Sequence, residues 1–188
     1  ADFAVLDDLV DFKARQVFRA GRLVAEGGRL LEEPAAGPPP PAGGMNLGAL
    51  AAHPFAIPDR SAARVRVILA EGDQLLTGEA IEEPKREGGF LVADPVRDLL
   101  KLAVVERHHG TGNVGVGYIR GFGLARGALA STVAHDSHNL IILGASDKAM
   151  EVALAAMREL GGGKLVADEH GVLAALPLPV AGLMSDAP

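Results

Sequence analysis

The stretch S-T-V-A-H-D-S-H-N-L-I-I-L-G sets His135, Asp136, Ser137, His138 and Asn139 between two apolar runs. An imidazole can move protons near neutral pH, and an adjacent carboxylate can fix its tautomer. The pattern therefore admits acid–base chemistry, with His138, Asp136 and His135 as the groups to carry it. It equally admits a plain turn, because Asp, Ser and Asn side chains satisfy local backbone groups. The spacing of His135 and His138 would align two imidazoles on a helix. The flanking Thr132, Val133, Ile141 and Ile142 are β-branched, however, so the motif reads as a connection between strands.

A second cluster, Glu106-Arg107-His108-His109-Gly110-Thr111-Gly112-Asn113, follows the apolar run K-L-A-V-V. A strand that passes into polar residues and then Gly-x-Gly is how ligand loops often begin. Glycines continue at 115, 117, 121, 123 and 127, but no G-x-G-x-x-G opens a helix, so this is not a dinucleotide fingerprint. Either the loop contacts a ligand, or its glycines serve tight turns and His108 and His109 are solvated. Arg120 could bind a carboxylate, stack on a flat ring, or form a surface ion pair. His53 and His170 read as structural or solvated, and Asp94 and Asp98 receive no role. H-x-H, H-E-x-x-H, G-x-S-x-G and phosphate-loop motifs are absent from the sequence. A self-contained metal site needs three or four converging ligands, and none is certain here.

The elements that must position these residues follow from periodicity. Residues 3–7, 15–20 and 23–25 read as a small β-meander. E-E-P-A-A-G-P-P-P-P-A-G-G then breaks the pattern, since consecutive prolines favour an extended, semi-rigid linker. The expected organisation is a strand segment over 1–33, a linker over 34–44 and a main domain over 45–188. Strands are expected over 63–70, 101–106, 128–134 and 140–144, and Asp98 is expected to begin a helical stretch. Met150, Ala153, Leu154, Met157 and Leu160 recur at spacings of three and four, which predicts a helix capped by Ser146 and ended by Gly161. A hairpin over 164–176 closes the pattern. Many strands and one amphipathic helix imply an α+β or α/β sheet domain.

Composition narrows the class. The 188 residues are 48% apolar, enough for a core, which must be aliphatic because there are six Phe, one Tyr and no Trp. Net charge is 18 − 24 = −6 without a basic stripe, a poor match to nucleic acid. No apolar run approaches the roughly 20 residues that span a bilayer. The absence of cysteine excludes disulfides and thiolate chemistry and fits a cytoplasmic location. The first residues, A-D-F-A-V-L, read as the middle of a strand, so the expectation is a segment of something longer.

Three stretches carry a resemblance: V-V-E-R-H-H-G-T-G-N-V-G-V-G-Y-I-R-G-F-G-L, S-T-V-A-H-D-S-H-N-L-I-I-L-G, and L-P-L-P-V-A-G-L-M-S. In this order they resemble the C-terminal region of bacterial adenine deaminases, in the metal-dependent amidohydrolase superfamily. A-D-F-A-V-L-D-D-L and V-F-R-A-G-R-L-V are similar to the segment by which such enzymes return from their catalytic barrel into a small β-sandwich. The resemblance implies hydrolysis of adenine to hypoxanthine and ammonia, in purine metabolism and salvage. It implies attack by a hydroxide activated by a divalent metal (Mn, Fe or Zn), whose bound water has a pKa lowered towards about 7.

The metal ligands of such enzymes lie on a barrel that begins with an H-x-H strand, which this sequence lacks. The expectation is a segment inactive alone, whose partners are the barrel of the same parent chain, adenine and, in a homo-oligomer, a second copy. The resemblance further implies that His138, Asp136 and His135 take part at the barrel mouth, with Arg107, His108, His109, Ser137, Asn139 and Arg120 as substrate contacts. A non-catalytic purine- or metal-binding domain and a purely structural module remain as alternatives.

Overall fold

The computed structural model describes residues 1–32, 37–38, 44–61, 64–72 and 74–185. The chain divides into two compact units, Ala1–Pro39 and Pro40–Pro188. Of the expected linker, residues 34–36 and 39–43 lie outside the described residues.

In the first unit, β1 (Phe3–Leu6), β2 (Ala14–Arg19), β3 (Arg22–Glu26) and β4 (Arg29–Leu30) form one antiparallel sheet in sequential order. Phe3 stacks on Phe18 at 4.5 Å, across the paired register of β1 and β2. No described residue of this unit is buried, and its four strands form a single layer.

The second unit holds β5 (Ile57–Pro58), β6 (Val65–Leu69), β7 (Gly78–Glu82), β8 (Lys85–Glu87) and β9 (Phe90–Val92). A 3₁₀ turn at Pro95–Arg97 precedes β10 (Leu100–Val105), β11 (Val114–Arg120), β12 (Ala128–Ser131) and β13 (Leu140–Gly144). Helix α1 (Asp147–Leu160), β14 (Gly163–Ala167) and β15 (Val172–Pro177) complete it. The main sheet has eight strands in the order β15-β14-β12-β13-β10-β11-β6-β7, and a small sheet has the order β5-β9-β8. All pairings of the main sheet are antiparallel except β11 with β6. The fold is therefore α+β, a mixed sheet with a single α-helix among the described residues.

Alternation along the strands sorts side chains to two faces. Ala103, Val105, Ala130, Leu140, Ile142 and Leu165 point to the face that α1 covers with Met150, Ala153, Leu154 and Met157. The helix starts because Ser146 is extended and its hydroxyl accepts the Ala149 N–H at 3.2 Å. It stops because Gly161 takes φ +77°, where its N–H reaches the Met157 carbonyl. Burying Met150 and Met157 completely contributes about 1.5–3 kcal/mol each.

Three expectations need correction. Asp98 does not start a helix; it closes the 3₁₀ turn with φ +53°, and its carboxylate accepts the N–H groups of Gly121 and Gly123. The strand expected to reach Ala134 ends at Ser131, because the buried Thr132 hydroxyl bonds out of the ladder. The glycine-rich stretch after Asn113 is not loop throughout, since Val114–Arg120 forms β11 with partners on both sides.

Candidate functional site

Strand register brings the two polar motifs to one end of the main sheet. Val105 pairs with Val114 on one side and Leu140 on the other. The loop 106–113 and the loop 132–139 therefore leave the sheet together.

The first loop is shaped by Glu106. Its carboxylate accepts the N–H groups of His108 (2.5 Å), His109 (2.8 Å) and Thr111 (3.1 Å), and the Thr111 hydroxyl (3.0 Å). These donors, the His109 N–H foremost, push its pKa down to about 2. Asn46 clamps the loop from outside, its side-chain amide donating to the His108 carbonyl while its backbone N–H donates to the Arg107 carbonyl. Gly48 and Gly110 lie so close that a Cβ on Gly48 would strike the Gly110 carbonyl.

The second loop is a single helical turn closed by the His138 N–H on the Ala134 carbonyl at 2.6 Å. Among the described residues the side chains of Asp136 and Asn139 make no local backbone bond of the Asx type. His138 instead takes φ +51°, a left-handed conformation that costs a non-glycine residue about 1–2 kcal/mol. Its Nδ1 and the Asn139 Oδ1 are buried without a partner among the described residues. At the tip, His135 Nε2 lies 3.3 Å from Asp136 Oδ1, with both side chains about 90% exposed.

Arg107 ties these parts together. It is 2% exposed, and Nε donates to the His138 carbonyl at 2.5 Å. Nη1 donates to the Gly44 carbonyl, and both terminal nitrogens reach the Ala181 carbonyl at 3.3 Å. Burial holds its pKa below the ordinary guanidinium value. His108 adds a second tie, its Nε2 lying 2.9 Å from the Ser137 carbonyl. A carbonyl only accepts, so this contact places the proton on Nε2. Thr132 accepts the Gly163 N–H at 2.8 Å and donates to the Gly182 carbonyl at 2.5 Å.

Of the residues singled out by sequence, Arg107, His108, His109, His135, Asp136, Ser137, His138 and Asn139 share this end of the sheet. Arg120 does not, because it sits at the opposite end of β11, paired with Glu82 at 2.9 Å. Arg107 spends its donors on backbone carbonyls rather than presenting them to a ligand. Sequence reasoning assigned no role to Glu106, Asn46 or Thr132. A carboxylate closing a strand ahead of H-H-G-T was the available signal for Glu106; nothing local marked the other two. No three His, Asp or Glu side chains among the described residues converge to hold a metal ion, so no metal ligand is assigned to them.

An α+β sheet domain with two polar loops and a tail gathered at one end by a buried arginine is the class of protein that fold and site define. Residues 74–188 match the family described as the adenine deaminase C-terminal domain, and the chain belongs to that family. It is 44% identical, over its whole length, to an adenine deaminase of Desulfatibacillum aliphaticivorans, of which it covers 33%. It is also similar to adenine deaminase 2 of Carboxydothermus hydrogenoformans, at 44% over 99% of the chain and 33% of that protein. With an adenine deaminase of Listeria welshimeri it shares 54% identity over 65% of the chain and 21% of that protein. The chain spans about a third of the length of the first two relatives.

Proposed function

We propose that this chain serves an adenine deaminase as the domain that closes over the catalytic centre, which belongs to another part of the parent protein. The observation that carries this reading is the convergence of all three family-like stretches at one end of the sheet. Arg107 of the first binds the His138 carbonyl of the second and the Ala181 carbonyl of the third. Such convergence fixes one surface, and the exposed His135–Asp136 pair stands at its tip.

In this reading the domain excludes water and positions the purine. Asp136 orients the His135 ring, and His138 holds the base of the turn. His135, His138 and Asp136 then stand beside the ring carbon where ammonia departs, with His108, His109, Ser137 and Asn139 around the purine. Arg107 and Glu106 shape the two loops instead of touching substrate. The divalent metal, manganese among the candidates, belongs with the catalytic centre elsewhere in the parent. The segment by itself is inactive, and its setting is cytoplasmic purine salvage. The strands of 1–33 complete the small β-sandwich of the parent, joined through 34–44 to the domain of 45–188.

The test is a chimera in which this chain replaces the matching third of the Desulfatibacillum aliphaticivorans relative. Ammonia release from adenine is measured with saturating metal. His135→Ala and His138→Ala should each lower kcat/KM by about two orders of magnitude, the scale of a lost acid–base or positioning group, without unfolding the protein. Full activity in both variants would return the turn to a structural role.

A further inference from the structure

Four histidines stand at the polar end of the main sheet, and their ring nitrogens are engaged differently. His135 meets its own neighbour Asp136, and both side chains are exposed. The His138 Nδ1 is buried, out of reach of a ligand. The His109 ring stands edge-on to His108, with centroids 6.3 Å apart. His108 is fixed by three other residues. Its N–H donates to Glu106 at 2.5 Å, its carbonyl accepts from the Asn46 amide at 3.2 Å, and its Nε2 lies 2.9 Å from the Ser137 carbonyl.

The Ser137 contact decides the tautomer. With the proton on Nδ1, the Nε2 lone pair would face the lone pairs of a carbonyl oxygen at 2.9 Å. The neutral ring therefore keeps its proton on Nε2 and its lone pair on Nδ1. His108 is exposed, and Nδ1 has no hydrogen-bond partner among the described residues. Other acceptors of the two loops are engaged or covered. The Glu106 oxygens take four donors, and the Asn139 Oδ1 is buried. A fixed, open acceptor is complementary to an N–H donor and opposed to a carbonyl oxygen.

We infer that the His108 Nδ1 accepts an N–H of the exocyclic amine of a 6-aminopurine, and thereby discriminates the substrate from the 6-oxopurine product. The inference rests on the closing-domain reading. Nε2 binds the turn that carries His135 and His138, so in that reading the ring faces the purine edge where the amine departs. Deamination converts adenine and water to hypoxanthine and ammonia. The leaving nitrogen gains hydrogen on its way to ammonia, so it keeps an N–H for Nδ1 throughout, and the contact persists into the transition state. The product carries an oxygen on the same carbon, whose lone pairs oppose that of Nδ1. One acceptor thus holds the substrate and disfavours the product.

Two substitutions separate this role from the tie to Ser137. A Gln amide reaches the place of Nε2 and can donate to the Ser137 carbonyl, but sets no acceptor at the place of Nδ1. An Asn oxygen stands near the place of Nδ1 but cannot reach Ser137. Nitrogen-15 NMR of the 188-residue chain in mildly alkaline buffer should show the His108 Nε2 protonated and Nδ1 bare, and the opposite tautomer overturns the inference. In the chimera with the Desulfatibacillum aliphaticivorans relative, the hypoxanthine Ki is compared with the adenine KM. His108→Gln should lower that ratio about tenfold, with kcat/KM for adenine falling and α1 amide protection unchanged, the scale of one hydrogen bond lost and one repulsion relieved. His108→Asn should keep the ratio nearer to wild type while the His138 amide exchanges faster. An unchanged ratio in His108→Gln overturns the acceptor role. If His135→Ala and His138→Ala still lower activity, the closing-domain reading survives that failure; if all these variants keep full activity, both fall together.

Discussion

Arg107→Met tests whether one buried side chain holds the candidate site together. The substitution preserves most of the apolar stem and removes the guanidinium. The carbonyls of Gly44, His138 and Ala181 then lose their donor in a place where Arg107 itself is 2% exposed. An unsatisfied buried acceptor costs about 1–3 kcal/mol. Three at the lower end give about 3 kcal/mol, and the relief of an otherwise buried charge keeps the sum from rising much above that. For a unit of this size each kcal/mol lowers Tm by about 2–4 °C, so the expected fall is about 6–12 °C. Arg107→Lys should lie between, because an ammonium cannot fork to three carbonyls.

Urea unfolding gives the global loss, and hydrogen exchange locates it. The His138 amide, bonded to the Ala134 carbonyl, should lose protection in Arg107→Met before amides of α1 do. A loss below about 0.5 kcal/mol, the range of ordinary surface substitutions, would refute the assignment of Arg107 as the tie. So would a large loss that left the 134–138 turn as protected as before, since the energy would then have come from elsewhere.

Glu106 gives a pH prediction. Its folded pKa of about 2 lies below the ordinary 4.5, so the stability it contributes is complete above about pH 4.5 and drains away as pH falls towards 2. Amide exchange at His109 and Thr111 should accelerate across that window in the wild type, and Glu106→Gln should flatten the dependence. Lys101 is fully buried with its ammonium 2.7 Å from Asp147, whose side chain is 31% exposed. Asp147→Ala, which strands the buried cation, should cost about 3–5 kcal/mol in urea unfolding, and Lys101→Met distinctly less. Equal losses would contradict the burial asymmetry. Ser146→Ala removes the helix cap and should cost about 1 kcal/mol, read from the shift in urea midpoint.

What could be read from sequence was whatever local chemistry decides. Helix α1 was legible to the residue, because Ser146, the three-and-four spacing of its buried face and Gly161 are all local signals. Strand β11 was hidden by Gly115 and Gly117, which break the alternation. It forms because β10 and β6 pair with it on both sides, and a Cβ at either glycine would meet nothing within 4 Å. The short strands β7 and β8 carry charges on exposed faces and so lacked an apolar period, and β9 is only three residues long. The site shows the same division. That two loops hold histidines was visible, but the use of Arg107 was not, since its partners lie 31, 63 and 74 residues away in sequence.

The tail after β15 is anchored at the polar end of the sheet. β15 runs directly into residues 178–184, where the Ala181 carbonyl is held by Arg107 and the Gly182 carbonyl by Thr132. β15 and the anchored tail are thus consecutive along one strand direction, with the Leu178 N–H on the Gly162 carbonyl between them. If the tail were held only by continuation of the sheet, freeing it at Arg107 would fray β15 from its end. The Leu178 and Thr132 bonds are independent of Arg107, so they should stop the fraying before Pro177. Arg107→Met should therefore loosen the 134–138 turn and the Ala181 contact while leaving the protection of the Ala174 and Leu176 amides against hydrogen exchange unchanged. Loss of protection at those two amides in the variant would show that the polar end of the sheet and β15 are one cooperative unit.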